Sequence, residues 1–314
     1  MPRVSIGLPV YNGENYLQDA MRSVLGQTFE DFELIVSDNA STDRSAEIAQ
    51  DLAAADRRVR FFRNERNLGA APNWNRVWEE SRGSLFKWLS HDDRIRPDFV
   101  ARTVAALDAA PDAVLCNGIV DYIDETGTVF ANYTSVLDEA GGADPAERFA
   151  AMVLRSHSCV DFFGMVRREA MVGSLLHASF HGADRVFLVQ MALRGRLLQL
   201  PEPLVQMREH RQRYTRNHGD ARARRLWHDS SGKRAAALPT LYMYGQYLRL
   251  VHDEQLTPAA HQRCLLVLAR WWVSNWNAIR VATDAMSLLA PGIVGHAERV
   301  KTRLFGAAPG HFLP

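Results

Sequence analysis

Phe32-Glu33-Leu34-Ile35-Val36-Ser37-Asp38, followed at once by Asn39-Ala40-Ser41-Thr42-Asp43, decides the fold of this 314-residue chain. The first seven residues are a short, mostly apolar run of strand length, closed by a cluster of turn-forming side chains. Residues 44–55 then carry helical spacing, so the stretch reads as buried strand, polar turn and helix. Working outward, the same unit recurs. A strand is expected over 4–9, a turn at Tyr11-Asn12-Gly13, and a helix over 14–26 with Leu17, Met21, Val24 and Leu25 on one face. Further strands are expected at 59–62, 85–89 and 113–122, and helices at 73–80 and 97–109, the last opening on Pro97. This alternation predicts an α/β fold of Rossmann-like type, with a mainly parallel sheet, right-handed crossovers and helices on both faces.

In such a sheet the ligand crevice lies at the C-terminal ends of the strands. Four strands are followed there by Pro9-Val10-Tyr11-Asn12, by Asp38 to Asp43, by Asn64 to Gly69, and by Ser90-His91-Asp92-Asp93. Polar and acidic groups thus converge on one rim. From about residue 144 the pattern loosens, and from about 220 to near 304 the chain reads as helical, with a soft boundary at 214–220.

Composition narrows the function classes. Lys and Arg number 37 against 36 Asp and Glu, a net charge of +1, which argues against a nucleic-acid partner. Residues 205–234 are locally basic, nine basic side chains against three acidic ones. Cys116, Cys159 and Cys264 have no zinc-type spacing and suggest buried thiols in a reducing compartment. The start of the chain carries no leader-type apolar core, and no window approaches the roughly 18 apolar residues that span a bilayer. A cytoplasmic protein is expected, peripheral contact with the inner membrane face remaining open.

Asp92 and Asp93 follow a strongly apolar strand. Two adjacent carboxylates repel unless a cation lies between or beside them, and a divalent ion bridging two phosphates supplies one. Alternatively they cap the following helix or sit solvated in a loop. Asp38 suits the N–H of a uracil or guanine ring, or else bonds the backbone of its own turn.

At this point the motifs resemble a family. Val4 to Asn12, Glu14-Asn15-Tyr16-Leu17, Ser23 to Thr28, Glu33 to Asp43 and Asn64 to Gly69 are similar to the inverting glycosyltransferases of family 2, which have the GT-A fold. Ser90-His91-Asp92-Asp93 falls where that family carries a D-x-D-D metal motif. The match covers about the first 120 residues closely and continues more weakly to about Tyr214. The resemblance implies a GT-A catalytic domain over 1–216, with a nucleotide-binding half (1–120) and an acceptor-binding half (121–216), and a helical C-terminal region over 217–314.

It also implies roles. Pro9, Tyr11, Asn12, Asp38, Asn67, Ser90, His91, Asp92 and Arg208 would bind the donor nucleotide, with Asp38 on the base. Asp92, Asp93 and His210 would hold Mn²⁺ or Mg²⁺ on the donor diphosphate. Ser90 stands where the family has its first Asp, so one charge is missing. Asp184, in His181-Gly182-Ala183-Asp184, matches the catalytic base of the late acidic motif, with Ala183 in place of the usual Glu; a plain helix cap is its other reading. His210 matches an Arg-x-His motif, although a lone His in a basic run is commonly solvated. Arg208, Arg211 and Arg213 suit phosphate, a solvated face or anionic lipid.

The expected activity is transfer from a nucleotide-diphosphate sugar, a UDP-sugar first, to an acceptor hydroxyl with inversion, in polysaccharide, lipopolysaccharide or glycolipid assembly. Saccharide, lipid-linked and small-molecule acceptors all fit. A nucleotidyltransferase or an inactive nucleotide-binding scaffold is the competing reading; the first would want a Gly-rich basic loop where Pro9 to Gly13 stand. Trp271, Trp272 and Trp276 with Arg263, Arg270 and Arg280 suit core packing, a homodimer through the C-terminal helices, or an interfacial membrane contact.

Overall fold

The computed structural model describes residues 1–211 and 238–289. Four parallel strands form the first part of the sheet: β1 (Val4–Val10), β2 (Phe32–Asp38), β3 (Val59–Arg63) and β4 (Leu85–Trp88). Every residue of β1, β2 and β4 is buried, as expected for strands covered on both faces. The period-two alternation still sorts their side chains. Leu34, Val36 and Leu85 enter one core with α1 (Leu17–Leu25), α2 (Ser45–Ala55) and, further along, α4 (Phe99–Ala109). Ile35, Phe86 and Trp88 enter the other core with Val77 of α3 (Ala70–Glu79).

Beyond β4 the sheet becomes mixed. Its order is β3-β2-β1-β4-β8-β6-β9-β5, with β7 also paired to β6. Here β5 is Arg94–Ile95, β6 Ala113–Ile123, β7 Val129–Tyr133, β8 Met165–Arg167 and β9 Arg196–Arg208. Four strand pairs are parallel and four antiparallel: the parallel character expected from the sequence is complete among β1 to β4, and beyond them only β6–β9 keeps it. The long β6 runs through residue 120 and pairs with β9 along most of its length.

Three helix starts differ from expectation. α1 begins at Leu17 because Glu14 is drawn outward, its carboxylate accepting the Arg44 N–H at 2.9 Å. α3 begins already at Ala70, after Gly69 at φ 89°. α4 begins at Phe99 rather than Pro97, whose carbonyl accepts the Thr28 N–H at 2.8 Å.

The chain continues through α5 (Pro145–Leu154), α6 (Arg168–Met171) and α7 (Ala183–Arg194). After the segment outside the described residues, which includes the 214–220 boundary and Arg213, come α8 (Pro239–Asp253), α9 (Pro258–Trp271) and α10 (Asn277–Leu289). Leu250, Val251, Leu268 and Trp271 share the core that holds Phe187 and Leu188 of α7. Glu254 fastens this contact, accepting from Gln190 at 2.7 Å and from Arg194 Nη2 at 2.8 Å. Trp271 is buried, Trp272 is half-buried against the core, and Trp276 is exposed beyond a break at Asn275 (φ 51°). The continuous tryptophan stripe expected at helical spacing therefore does not form. Cys116 and Cys264 are buried and Cys159 is half-buried, all as free thiols.

Candidate active site

The loops after β1, β2 and β4 meet in a cleft of about 520 Å³. They are laced together by short polar side chains. Asn12 takes the Thr42 N–H on Oδ1 at 2.9 Å, and its own N–H donates to Ser41 Oγ at 2.9 Å. Gly13 donates its N–H to Ser45 Oγ at 2.8 Å. It must be glycine, because a methyl group there would overlap the His91 ring.

A second network forms the floor. Asn39 accepts from Leu68 N at 3.0 Å and Asn64 Nδ2 at 2.9 Å, and donates to Asn67 Oδ1 at 3.0 Å. Asn73 of α3 accepts from Ser37 Oγ at 2.7 Å and Asn64 Nδ2 at 2.9 Å. Buried amides paired in this way fix a polar surface that an apolar core would leave undefined.

At the acidic loop, Asp92 divides its oxygens. Oδ1 accepts the Ser90 hydroxyl and Oδ2 lies 2.9 Å from His210 Nε2. Asp93 turns the other way, Oδ1 accepting the Arg208 backbone N–H at 2.9 Å. The guanidinium of Arg208 is buried behind the loop, donating to Asp92 O at 3.1 Å, to the carbonyls of Asp124 and Glu125 at 3.1 Å each, and to Asp19 Oδ2 at 2.6 Å. Its charge also sits 4.5 Å from the Tyr16 ring centroid, and Tyr16 packs on His210. Lys87 is buried beneath, over the Phe99 ring, and donates to the Phe163 carbonyl. Burial pushes its ammonium down to about 7 while Asp93 opposes that shift.

Of the residues singled out from sequence, Pro9, Tyr11, Asn12, Asn67, Ser90, His91, Asp92, Asp93, Asp184 and His210 all line this cleft. Asp38 and Arg208 do not. Asp38 is wholly buried, accepting from Ser41 N at 3.2 Å and pairing with Arg63 Nε at 3.1 Å. It behaves as the carboxylate of its own turn, which removes the geometric ground for bonding a base. Arg208 is a strut of the acidic loop, because its fork makes four bonds to loop and helix groups. Arg211 is exposed. Asp184 does not cap its helix; Gly182 takes that position at φ 89°, a left-handed backbone that suits glycine, and leaves Asp184 in the first turn facing the cleft. The positive end of α7 favours a carboxylate there.

Sequence reasoning missed the wall between these groups. Trp74, Phe162, Phe163, Cys159 and His177 line the cleft together with the loops after β1, β2 and β4. Trp74 is braced by Phe163 at 5.7 Å and stacked with His177 at 5.3 Å. No motif spacing marks them; only the density of asparagine at 64, 67 and 73 hinted at the adjoining floor.

The model of glycosyl transferase family 2 matches residues 5–172, more than half of the chain. The chain belongs to that family. Among curated relatives, an uncharacterised glycosyltransferase of Haemophilus influenzae is 40% identical over 98 residues, covering 31% of this chain and 39% of the relative. One from Rickettsia felis is 36% identical over 129 residues, covering 40% of this chain and 21% of the relative. The matched stretches are thus well under half of those relatives. Among solved structures, S. aureus TarS 1–349 in complex with UDP-GlcNAc aligns with TM-score 0.60 at 16% identity, covering 86% of this chain and 72% of that one. The mannosyltransferase PcManGT of Pyrobaculum calidifontis, in complex with GDP-Man and Mn²⁺, aligns with TM-score 0.56 at 17% identity, covering 97% and 81%. At these identities the likeness establishes the fold, GT-A with a helical C-terminal segment.

Proposed function

We propose that this glycosyltransferase moves a sugar from a nucleotide-diphosphate donor to an acceptor hydroxyl with inversion, using Asp184 as the base. The observation that carries the reading is that one cleft holds the Asp92–His210 pair and the Asp184 carboxylate together. Asp184 accepts the hydroxyl proton as that oxygen attacks the anomeric carbon, on the face opposite the departing diphosphate. The C–O bond to the acceptor forms as the bond to the leaving phosphate breaks, so the anomeric configuration inverts.

A divalent cation fits the acidic end. Asp92 Oδ2 and His210 Nε2 are an oxygen and a nitrogen donor 2.9 Å apart, a pairing that suits Mn²⁺. Among the described residues no three His, Cys, Asp or Glu side chains gather to hold an ion alone. Asp92 and His210 would hold the ion with help from the donor's phosphates, and it would supply charge neutralisation for the leaving group. Asp93, committed to Arg208, fixes the loop that carries Asp92.

A UDP-sugar is the first donor to test, since UDP-GlcNAc is bound by the structural neighbour TarS. A GDP-sugar is the second, as in PcManGT. Acceptors in cell-envelope polysaccharide, lipopolysaccharide or glycolipid assembly suit a cytoplasmic enzyme, at the membrane's inner face for lipid-linked ones. Among the described residues no helix is long and apolar enough to cross a membrane. A thermal-shift screen of UDP-, GDP- and dTDP-sugars, with Mn²⁺ and with EDTA, tests the reading, followed by assay of released nucleoside diphosphate. We expect a Mn²⁺-dependent rise in melting temperature with one donor class. Asp184→Asn should retain that rise while turnover falls by about 10²-fold or more; turnover near wild type would refute the base assignment.

A further inference from the structure

Tyr16 belongs to a stretch, Glu14-Asn15-Tyr16-Leu17, to which the reaction scheme gives no part. It stands at the start of α1 and lines the cleft. Its backbone is fixed on both sides, the N–H donating to the Gly13 carbonyl at 3.2 Å and the carbonyl accepting the Ala20 N–H at 3.0 Å. Two side chains meet its ring. The Arg208 guanidinium carbon lies 4.5 Å from the ring centroid. The His210 imidazole packs on it with 5.0 Å between centroids and 57° between planes. Tyr16 thus bridges two side chains from the end of β9 that are separated by a single residue. Asp19, one turn further along α1, accepts from Arg208 Nη2 at 2.6 Å. The first turn of α1 therefore grips one guanidinium twice, through a ring and through a carboxylate three positions apart.

We propose that Tyr16 is a positioning residue for His210: its ring, pinned by Arg208, sets the imidazole so that Nε2 meets Asp92 Oδ2 before any donor arrives. The proposal rests on the reading of Asp92 and His210 as the cation's ligands. An imidazole turns about two side-chain torsions, and the 2.9 Å contact with Asp92 restrains only its Nε2 end. A flat packing partner restrains the plane of the ring as well. Arg208 leaves that partner little freedom, because its Nη1 also donates to the Asp124 and Glu125 carbonyls at 3.1 Å each. Its Nε donates to the Asp92 carbonyl at 3.1 Å. One guanidinium therefore aligns both members of the pair, the backbone of Asp92 by a hydrogen bond and the ring of His210 through Tyr16. Groups that orient a ligand from behind in this way govern how well it binds an ion.

The test uses the full chain with Tyr16→Leu, Tyr16→Phe, Asp19→Asn and His210→Ala. The first readout needs neither metal nor donor: the imidazole ¹⁵N signals of His210, assigned by their loss in His210→Ala, report the bond from Nε2 to Asp92 at one fixed pH. In Tyr16→Leu the Nε2 signal should move toward that of a free imidazole, and Tyr16→Phe, which keeps the ring, should restore it. The second readout is Mn²⁺ binding by calorimetry, with UDP and separately with GDP present. Tyr16→Leu should weaken it about tenfold, and Tyr16→Phe should restore it. Asp19→Asn loosens the guanidinium but spares the buried face of α1, Leu17, Ala20, Met21 and Val24. It should shift both readouts the same way by a smaller amount, and it decides if circular dichroism shows that Tyr16→Leu has lost its fold. If His210→Ala binds Mn²⁺ as wild type does, the reading of the ligands fails, and the metal-free signal alone decides for Tyr16. Otherwise an unmoved His210 signal or an unchanged Mn²⁺ affinity in the folded variant overturns the positioning role.

Discussion

Ser90 and His210 each take one oxygen of Asp92, so the residue that stands in place of a carboxylate is already at work. A hydroxyl there donates to Asp92, where a second carboxylate would repel it. Ser90→Asp should therefore lower the melting temperature in EDTA and tighten Mn²⁺ binding, an opposed pair of effects that calorimetry with and without metal would read. If Mn²⁺ affinity did not change, the ion would not sit at this loop. Individual residues were unevenly legible in the sequence. The loop residues Tyr11, Asn12, Ser90 and Asp92 could be placed because short motifs after strands always land on the same rim. Asp38 and Arg208 belong to those same motifs, but a motif does not record whether a side chain faces the ligand or the loop behind it. Asp38 meets Arg63, and Arg208 meets Asp19 across 189 positions of sequence, contacts that no local pattern announces.

At the scale of elements, the single helical turn Val160–Phe163 shapes the cleft wall and hides a buried acid. Asp161 Oδ1 accepts from Asn117 Nδ2 of β6 at 3.0 Å, while Asp161 Oδ2 and Asn117 Oδ1 have no partner among the described residues. A proton on Oδ2 would satisfy both orphaned atoms in one step. Burial pushes this carboxyl up to about 6, against the lowering effects of Asn117 and Ser135. The folded value lies above the unfolded one, so the stabilising protonated form is fully present below about pH 4 and is lost as pH rises through about 6. Asp161→Asn keeps both hydrogen bonds without the charge. It should gain stability over wild type by about 2 kcal/mol between pH 4.5 and pH 7.5, read from urea unfolding at the two values. A stability difference independent of pH would show that Asp161 is ionised throughout. The early strands were legible because each is a continuous apolar run buried on both faces. β5, β8 and the wall turn were not, since two to four residues carry no measurable period.

The whole molecule is organised by contacts between distant segments of chain. The C-terminal helices dock onto α7 through Glu254, whose carboxylate holds Gln190 and the partly buried Arg194. Glu254→Ala leaves that guanidinium with one anion fewer, and should cost about 2 kcal/mol. Hydrogen exchange should then rise over residues 239–271 before it rises in β1 to β4; uniform exchange would mean that the helices do not open separately. The sequence announced these helices by their spacing but not their docking, because Glu254 and Arg194 lie sixty positions apart. The β6–β9 ladder carries a further consequence for how such a protein can be recombined. Both walls of the cleft hang from one continuous sheet, and β6 crosses residue 120 in mid-strand. A chimaera joined at that point would divide an eleven-residue strand between two parents and unmatch its register with β9. Exchanging the loops around Trp74 and the 159–163 wall leaves that ladder whole, whereas a junction at residue 120 cuts it.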